Sequence, residues 1–317
     1  MNKRQLGKSE LYVSPLAFGG NVFGWTIDEK TSFDILDAFT SAGFNFIDTA
    51  DVYSRWAAGN KGGESETIIG KWMKQKGNRD KIIIATKVGL DMGQDKKGLR
   101  KKYILEAVED SLQRLQTDYI DLYQTHRDDN ITPVEETLEA YQQLIKEGKV
   151  RVIGASNLSA ARLKDSIEAS NKHGYPRYQS FQPEYNLYAR QGFEKEQEAI
   201  CLENHIGVIT YYSLASGFLT GKYRSEADLH KSARGEGIRK YLDERGYKIL
   251  SALDEVATQY KSTPAAVSLA WLLARPSATA PIASATSITQ LNDLVKATEL
   301  QLSNETIGIL DKASAWE

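Results

Sequence analysis

Strand-like and helix-like stretches alternate along almost the whole chain, and this alternation restricts the fold more than any other feature. Strand-like runs are expected at Val13 to Phe18, Asn45 to Ile47, Lys81 to Thr86, Tyr119 to Gln124, Val150 to Gly154, Tyr178 to Phe181, Gly207 to Tyr212 and Thr279 to Ala283. Several are apolar at successive positions, as in Ile82-Ile83-Ile84, which suits a strand covered on both faces. Between them lie stretches with helical spacing. Glu29 to Ser41 carries Phe33, Leu36, Asp37 and Thr40 on one turn repeat, with Gly43 as a stop signal. Glu64 to Lys76 aligns Ile68, Ile69 and Trp72, and Lys102 to Leu115 aligns Ile104, Val108, Leu112 and Leu115. Pro133 to Lys146, Ala160 to Asn171 and Phe193 to Glu203 continue the series. Tyr247 to Tyr260 and Pro264 to Ala274 follow, and Ser287 to Thr298 is expected as the last helix.

Strict βα alternation with doubly buried strands implies a parallel sheet. Eight such units in 317 residues fit a closed α/β barrel, the (β/α)8 TIM barrel, better than an open doubly wound sheet. Two features stand outside the repeat. Lys3 to Phe18 contains a Gly7-Lys8-Ser9 turn, which predicts an N-terminal β-hairpin. Leu214 to Arg245, after the seventh strand, is long, polar and rich in Gly, Lys and Arg, a length of loop that usually carries function. No composition shift divides residues 1–317, so one domain is expected.

Composition narrows the partners. The net charge of -2 supplies no basic field for nucleic acid. The longest nearly apolar run, Ala265 to Ala274, is too short to span a membrane. The N-terminus lacks an apolar leader, and the single cysteine, Cys201, excludes an internal disulfide. A cytoplasmic protein is the expectation. The four histidines lack metal-ligand spacing, so no metal site is expected.

In a barrel of this kind the active site lies at the C-terminal ends of the strands. The residues just past the successive strands are Asp48 with Tyr53, then Lys87, His126, Ser156 with Asn157, and Gln182, while Tyr211 ends the seventh strand. A buried ammonium beside a phenol lowers its pKa from about 10. Lys87, held by Asp48, would act in this way on Tyr53. Tyr53 then becomes a general acid for a carbonyl oxygen gaining charge, and His126 a hydrogen-bond donor to the same oxygen. Singly, a lysine or histidine at a strand end is usually a surface or core residue; the four together are a site.

These segments also carry a family resemblance. Phe46-Ile47-Asp48-Thr49-Ala50-Asp51-Val52-Tyr53, Gly63-Glu64-Ser65-Glu66 with Ile69-Gly70, and Ala85-Thr86-Lys87 are its first part. Asp118-Tyr119-Ile120-Asp121-Leu122-Tyr123-Gln124-Thr125-His126 and Gly148-Lys149-Val150-Arg151-Val152-Ile153-Gly154-Ala155-Ser156-Asn157 complete it. Together they resemble an aldo-keto reductase, of the bacterial branch that includes the potassium-channel β-subunit-like proteins. The resemblance runs from Leu6 to the last helix.

It implies reduction of an aldehyde or ketone by NAD(P)H, with Asp48, Tyr53, Lys87 and His126 as the catalytic tetrad. It implies that Ser156, Asn157 and Gln182 hold the nicotinamide carboxamide and that Tyr211 stacks on the ring. Ser213, Leu214, Gly217 and Lys222 would run along the pyrophosphate, and Ser284, Thr286 and Gln290 would meet the adenosine end. The family's cofactor is commonly NADPH, yet the residues where it carries Lys or Arg for the 2′-phosphate read Ser284, Ala285, Thr286, Ser287 and Gln290 here, which leaves NADH open. Its Ser-Pro-Leu segment reads Tyr212-Ser213-Leu214. With no extended segment after Trp316, the small-molecule carbonyl pocket is expected from Phe23, Trp25, Trp56, Asn60 and the region after His126. The second reading is a cofactor-binding, redox-sensing module in which turnover is slow or incidental. The sequence leaves the substrate, the direction of reaction and the oligomeric state open.

Overall fold

The structure is a computed structural model that describes residues 2–316. Two short antiparallel strands, β1 (Arg4–Gln5) and β2 (Tyr12–Val13), form the hairpin. Eight parallel strands close the barrel: β3 (Ala17–Gly19), β4 (Phe46–Asp48), β5 (Ile83–Val88), β6 (Ile120–Thr125), β7 (Val150–Ser156), β8 (Ser180–Gln182), β9 (Gly207–Thr210) and β10 (Ala278–Ala283). They pair in chain order, and β10 returns to β3 through Ile282↔Ala17 and Ala283↔Phe18. Closure leaves no sheet edge. The first expected strand divides: Val13 belongs to the hairpin, and only Ala17–Gly19 enters the barrel.

The side-chain period of two sorts each strand. Phe46, Ile83, Ala85, Leu122, Val152, Ile209 and Ala280 fill the barrel interior together with Leu6, Leu11 and Val13. The hairpin is therefore the plug at the N-terminal end of the barrel. Lys8 N–H reaches Gln179 Oε1 at 2.9 Å, and Arg4 donates to the carbonyls of Leu273 and Ala278. The alternate positions, Ile47, Ile84, Val88, Tyr123, Ile153 and Phe181, face the helices in a second apolar layer.

Those helices are α1 (Glu29–Ser41), α2 (Glu64–Lys76), α3 (Lys101–Leu115), α4 (Val134–Lys146), α5 (Ala160–His173), α6 (Gln191–Glu196), α7 (Glu198–Glu203), α8 (Glu244–Gln259), α9 (Pro264–Leu273), α10 (Ile288–Ala297) and α11 (Asn304–Ala313). Three differ from expectation. On α1 the buried set is Ser32, Ile35, Leu36 and Phe39, a different face from the one expected through Phe33 and Thr40. The stretch from Phe193 to Glu203 breaks at Gln197 into α6 and α7. The chain does not finish at α10: α11 follows, capped by Ser303, whose side chain accepts from Thr306 N–H. The loop after β9 is also not structureless, since it winds through 3-10 turns at Ala215–Thr220, Glu226–Lys231 and Gly235–Tyr241. Among the described residues no helix is long and apolar enough to cross a membrane.

Candidate active site

The strand period that packs the interior also aims the polar groups. Ile83 and Ala85 point inward, so Lys87, two residues on, does too; Phe46 does the same for Asp48, and Leu122 for Gln124. Register keeps these ends level: Asp48 pairs with Ala85, Lys87 with Gln124, and Ser156 with Gln182. The polar rim is thus the next layer above an apolar core.

Lys87 is fully buried, and its ammonium spends all three donors within the protein. It reaches Asp48 Oδ2 at 2.6 Å, the Thr49 carbonyl at 2.8 Å and the Tyr53 hydroxyl at 3.3 Å. The second Asp48 oxygen accepts from Gln182 Nε2 at 2.9 Å and Gln124 Nε2 at 3.3 Å. Burial alone would discharge the lysine, but Asp48 and Tyr53 hold its pKa above the usual range. For Tyr53 burial is the largest influence and pushes the phenol up; Lys87 pulls it down without reversing the result. The expected lowering of the phenol is therefore present as a pull but not as the outcome. Tyr53 stays protonated in this state, and because it accepts from Lys87, its own proton is free for another acceptor.

His126 packs edge-on to the Tyr53 ring, with centroids 5.8 Å apart. Burial, followed by the charges of Lys87 and Arg127, drives its pKa well below the usual value, so the imidazole is neutral. Its Nδ1 is buried without a hydrogen-bond partner.

These groups open into a cavity of about 1290 Å³. Trp25 and Trp56 stand at its mouth, their rings edge-to-face at 5.6 Å, and Trp56 also meets Tyr53 at 5.4 Å. Phe23 does not reach it: the ring is buried and stacked on Phe18. Asn60 is likewise elsewhere, tying the Gly24 and Ser54 carbonyls together.

Around the rim, Asn157 links three neighbours. Its Nδ2 donates to the His126 carbonyl and to Ser156 Oγ, each at 2.9 Å, and its Oδ1 accepts from the Tyr211 hydroxyl at 2.8 Å. Ser156 Oγ donates to the Gln182 carbonyl at 2.8 Å. Ser213 lines the cavity, but its hydroxyl is buried and donates to the Thr210 carbonyl at 2.9 Å. Leu214, Gly217 and Lys222 continue along the wall. Here Ala215, Ser216 and Gly217 all have positive φ, of 46°, 58° and 103°. The N–H groups of Ala215 and Gly217 are donated to the carbonyls of Tyr212 and Leu214, which closes the turn. A Cβ on Gly217 would lie 3.8 Å from Lys222 Nζ, so a cation stands beside the turn.

At the far end lie Ser284, Thr286, Gln290 and Asp293. Ser284 Oγ donates to the Gly19 carbonyl at 2.7 Å and accepts from the Asn21 side-chain amide at 2.8 Å, and Thr286 Oγ1 donates to Gln290 Oε1 at 3.1 Å. Sequence reasoning passed over Asn21, Tyr212 and Asp293 and did not single out Arg234, whose guanidinium sits 5.2 Å above the Trp25 ring. All four line the cavity. Asn21 was within reach of the strand-end rule, since it follows Gly19-Gly20 at the end of the first barrel strand. Arg234 was not, because nothing local distinguishes it from the other basic residues of its loop.

Comparison with known proteins agrees with the geometry. The aldo/keto reductase family model matches residues 15–315. An uncharacterized oxidoreductase of Bacillus subtilis (strain 168), YrpG, is 36% identical over 98% of this chain and 95% of its own length. The aldo-keto reductase YhdN of the same organism is 35% identical, covering 94% of this chain and 87% of its own. A probable voltage-gated potassium channel subunit beta of Arabidopsis thaliana is 34% identical over 95% and 92%. With the family match running through all eight barrel strands, the chain belongs to the aldo/keto reductase family of oxidoreductases.

Proposed function

We propose that this protein, acting as one unit over residues 1–317, reduces an aldehyde or ketone to the alcohol with NAD(P)H, Tyr53 supplying the proton. The observation that carries this reading is the saturation of Lys87: a buried ammonium with its three donors committed to Asp48, Thr49 and Tyr53 leaves the phenol proton directed to a guest.

The cavity suits the cofactor on its own features: its size, the Lys222 ammonium beside Gly217 on its wall, and amide and hydroxyl groups near the tetrad. Ser156, Asn157 and Gln182 would hold the carboxamide, Tyr211 the ring face, and the segment from Ser213 to Lys222 the pyrophosphate. Bound there, the nicotinamide supplies the hydride. The protein does the rest. Neutral His126 donates a hydrogen bond to the carbonyl oxygen and fixes its position. Tyr53 transfers its proton to that oxygen as negative charge develops, and Lys87 stabilises the phenolate left behind. Asp48, Gln124 and Gln182 keep the lysine charged and still. Trp25 and Trp56 give the substrate an apolar, aromatic entrance.

The far end of the cavity favours NADH over NADPH. Its hydroxyls are already engaged, it holds the carboxylate of Asp293, and Ser284, Thr286 and Gln290 stand where a 2′-phosphate needs cations.

Tyr53→Phe tests the mechanism. The variant is expected to bind cofactor, read as quenching of protein fluorescence, while losing at least about 100-fold in turnover. Substantial remaining turnover would overturn it. The kinship with channel β-subunits supports a second reading, a cofactor-holding sensor. Following absorbance at 340 nm with a panel of aldehydes separates the two: rapid multiple turnovers support the reductase, tight cofactor binding without turnover the sensor.

A further inference from the structure

Arg127, Lys222 and Arg234 all line the main cavity. Lys222 and Arg234 belong to the loop after β9, the side along which the phosphates of a cofactor would run. Arg127 does not. It follows His126 directly, just past β6. In the closed strand order β10-β3-β4-β5-β6-β7-β8-β9, the β6 end lies across the barrel from the β10 end, where Ser284 stands. The acids beside Arg127 are spent elsewhere. Both Asp128 oxygens accept from Arg162, at 2.7 Å and 3.0 Å. Asp129 accepts from the Leu99 N–H at 2.9 Å and the Thr132 hydroxyl at 2.6 Å. On the cavity wall itself Asp48 is paired with Lys87, and Asp293 with Lys296 at 3.7 Å. Among the described residues Arg127 enters no ion pair, and it is exposed. Its charge still acts inside the cavity. Burial and then Lys87 do most to lower the His126 pKa, and Arg127 adds to them; burial raises the Tyr211 phenol, and Arg127 opposes it.

We propose that Arg127 determines substrate specificity: the aldehyde or ketone reduced here carries a carboxylate, which the Arg127 guanidinium binds while His126 and Tyr53 hold the carbonyl oxygen. This rests on the reductase reading above and adds a substrate class to it. A planar guanidinium takes a carboxylate through two parallel hydrogen bonds, and with no acid of the protein paired to it Arg127 is free to do so. Its place next to His126 in the chain sets the bound carboxylate a short distance from the carbonyl. The rings of Trp25 and Trp56 offer an aromatic surface to a flat spacer between the two groups. A cofactor phosphate does not meet this need, because the segment from Ser213 to Lys222 and the β10 end lie on the other side of the tetrad.

The test compares para-carboxybenzaldehyde with para-carbamoylbenzaldehyde, its neutral counterpart of the same shape, as substrates of the intact protein with NADH and with NADPH. The carboxylate is expected to have a kcat/KM at least about tenfold higher, the difference lying mainly in KM and shrinking as sodium chloride is added. Arg127→Gln is expected to remove this preference, Arg127→Glu to invert it and Arg127→Lys to keep part of it. A merely structural role for the residue would not produce that order, because each variant is read as a ratio between two substrates. Equal kcat/KM for the two aldehydes, or a preference that survives Arg127→Gln and Arg127→Glu, overturns the proposal and leaves the reductase reading standing. So does turnover of other aldehydes with neither of these two. Absence of turnover with every aldehyde overturns the reductase reading and this inference with it.

Discussion

At the scale of single residues, Lys87 shows how a site is built from obligations rather than from reactivity. Its charge survives full burial because three acceptors surround it, and Asp48 is held in turn by Gln182 and Gln124. Lys87→Met leaves Asp48 buried with only the amides of Gln124 and Gln182. A loss of about 3–5 kcal/mol in stability is expected, with turnover down by at least about 100-fold. Adding Asp48→Asn removes the orphaned charge. The double variant is expected to recover most of the stability, measured by urea unfolding, and none of the turnover. Recovery of both would mean that the lysine serves only folding. The positions of Asp48, Tyr53, Lys87 and His126 are legible in sequence, since each lies at or within a few residues of the end of an apolar strand. The direction of the Tyr53 shift is not, because it depends on a contest between burial and Lys87 that only the packed site decides.

At the scale of elements, close approach matters more than propensity. Gly70 lies within α2, where a glycine usually weakens a helix. A Cβ at this position would stand 2.2 Å from the Arg114 carbonyl and 2.6 Å from the Leu115 carbonyl carbon, so α2 meets the end of α3 with nothing between the backbones. Gly70→Ala is expected to destabilise by about 1–3 kcal/mol despite its better helix propensity, with denaturant unfolding as the measurement. An unchanged or raised midpoint would show that the two helices separate freely. The elements missed in sequence differ in their physical causes. α11 does carry the helical signals, a Ser303 N-cap and Ile307, Leu310 and Ala313 on one side, but it lies beyond the eight βα units that the alternation accounts for. The face of α1 is misphased because Phe33 is only partly covered while Ser32 is buried, a reversal of their ordinary preferences. The 3-10 turns after β9 are too short to carry any period.

At the scale of the whole molecule, closure joins the first barrel strand to the last and brings Ser284 against Gly19 and Asn21 across nearly the full length of the chain. This junction forms part of the cavity that extends to Asp293. Cofactor binding is therefore expected to raise the melting temperature of the entire barrel, since a ligand that binds only the folded state stabilises it in proportion to its affinity. At equal concentration NADH is expected to raise it more than NADPH. A larger rise with NADPH would mean that other residues, Lys222 or Arg234 among them, meet the 2′-phosphate.

By itself the sequence determined the barrel and the four strand-end residues. Both follow from local order: apolar runs of period two, helical runs of period 3.6, and polar residues placed where the runs stop. Only the tertiary structure decided which polar atoms meet. That Asn157 ties His126 to Tyr211, that Ser213 turns into the wall, that Arg234 rather than another basic residue reaches Trp25, and that Asp51 is left without a partner all depend on distances between segments far apart in the chain. A strand's own pattern states which way a side chain points; what it finds there belongs to the other strands and loops.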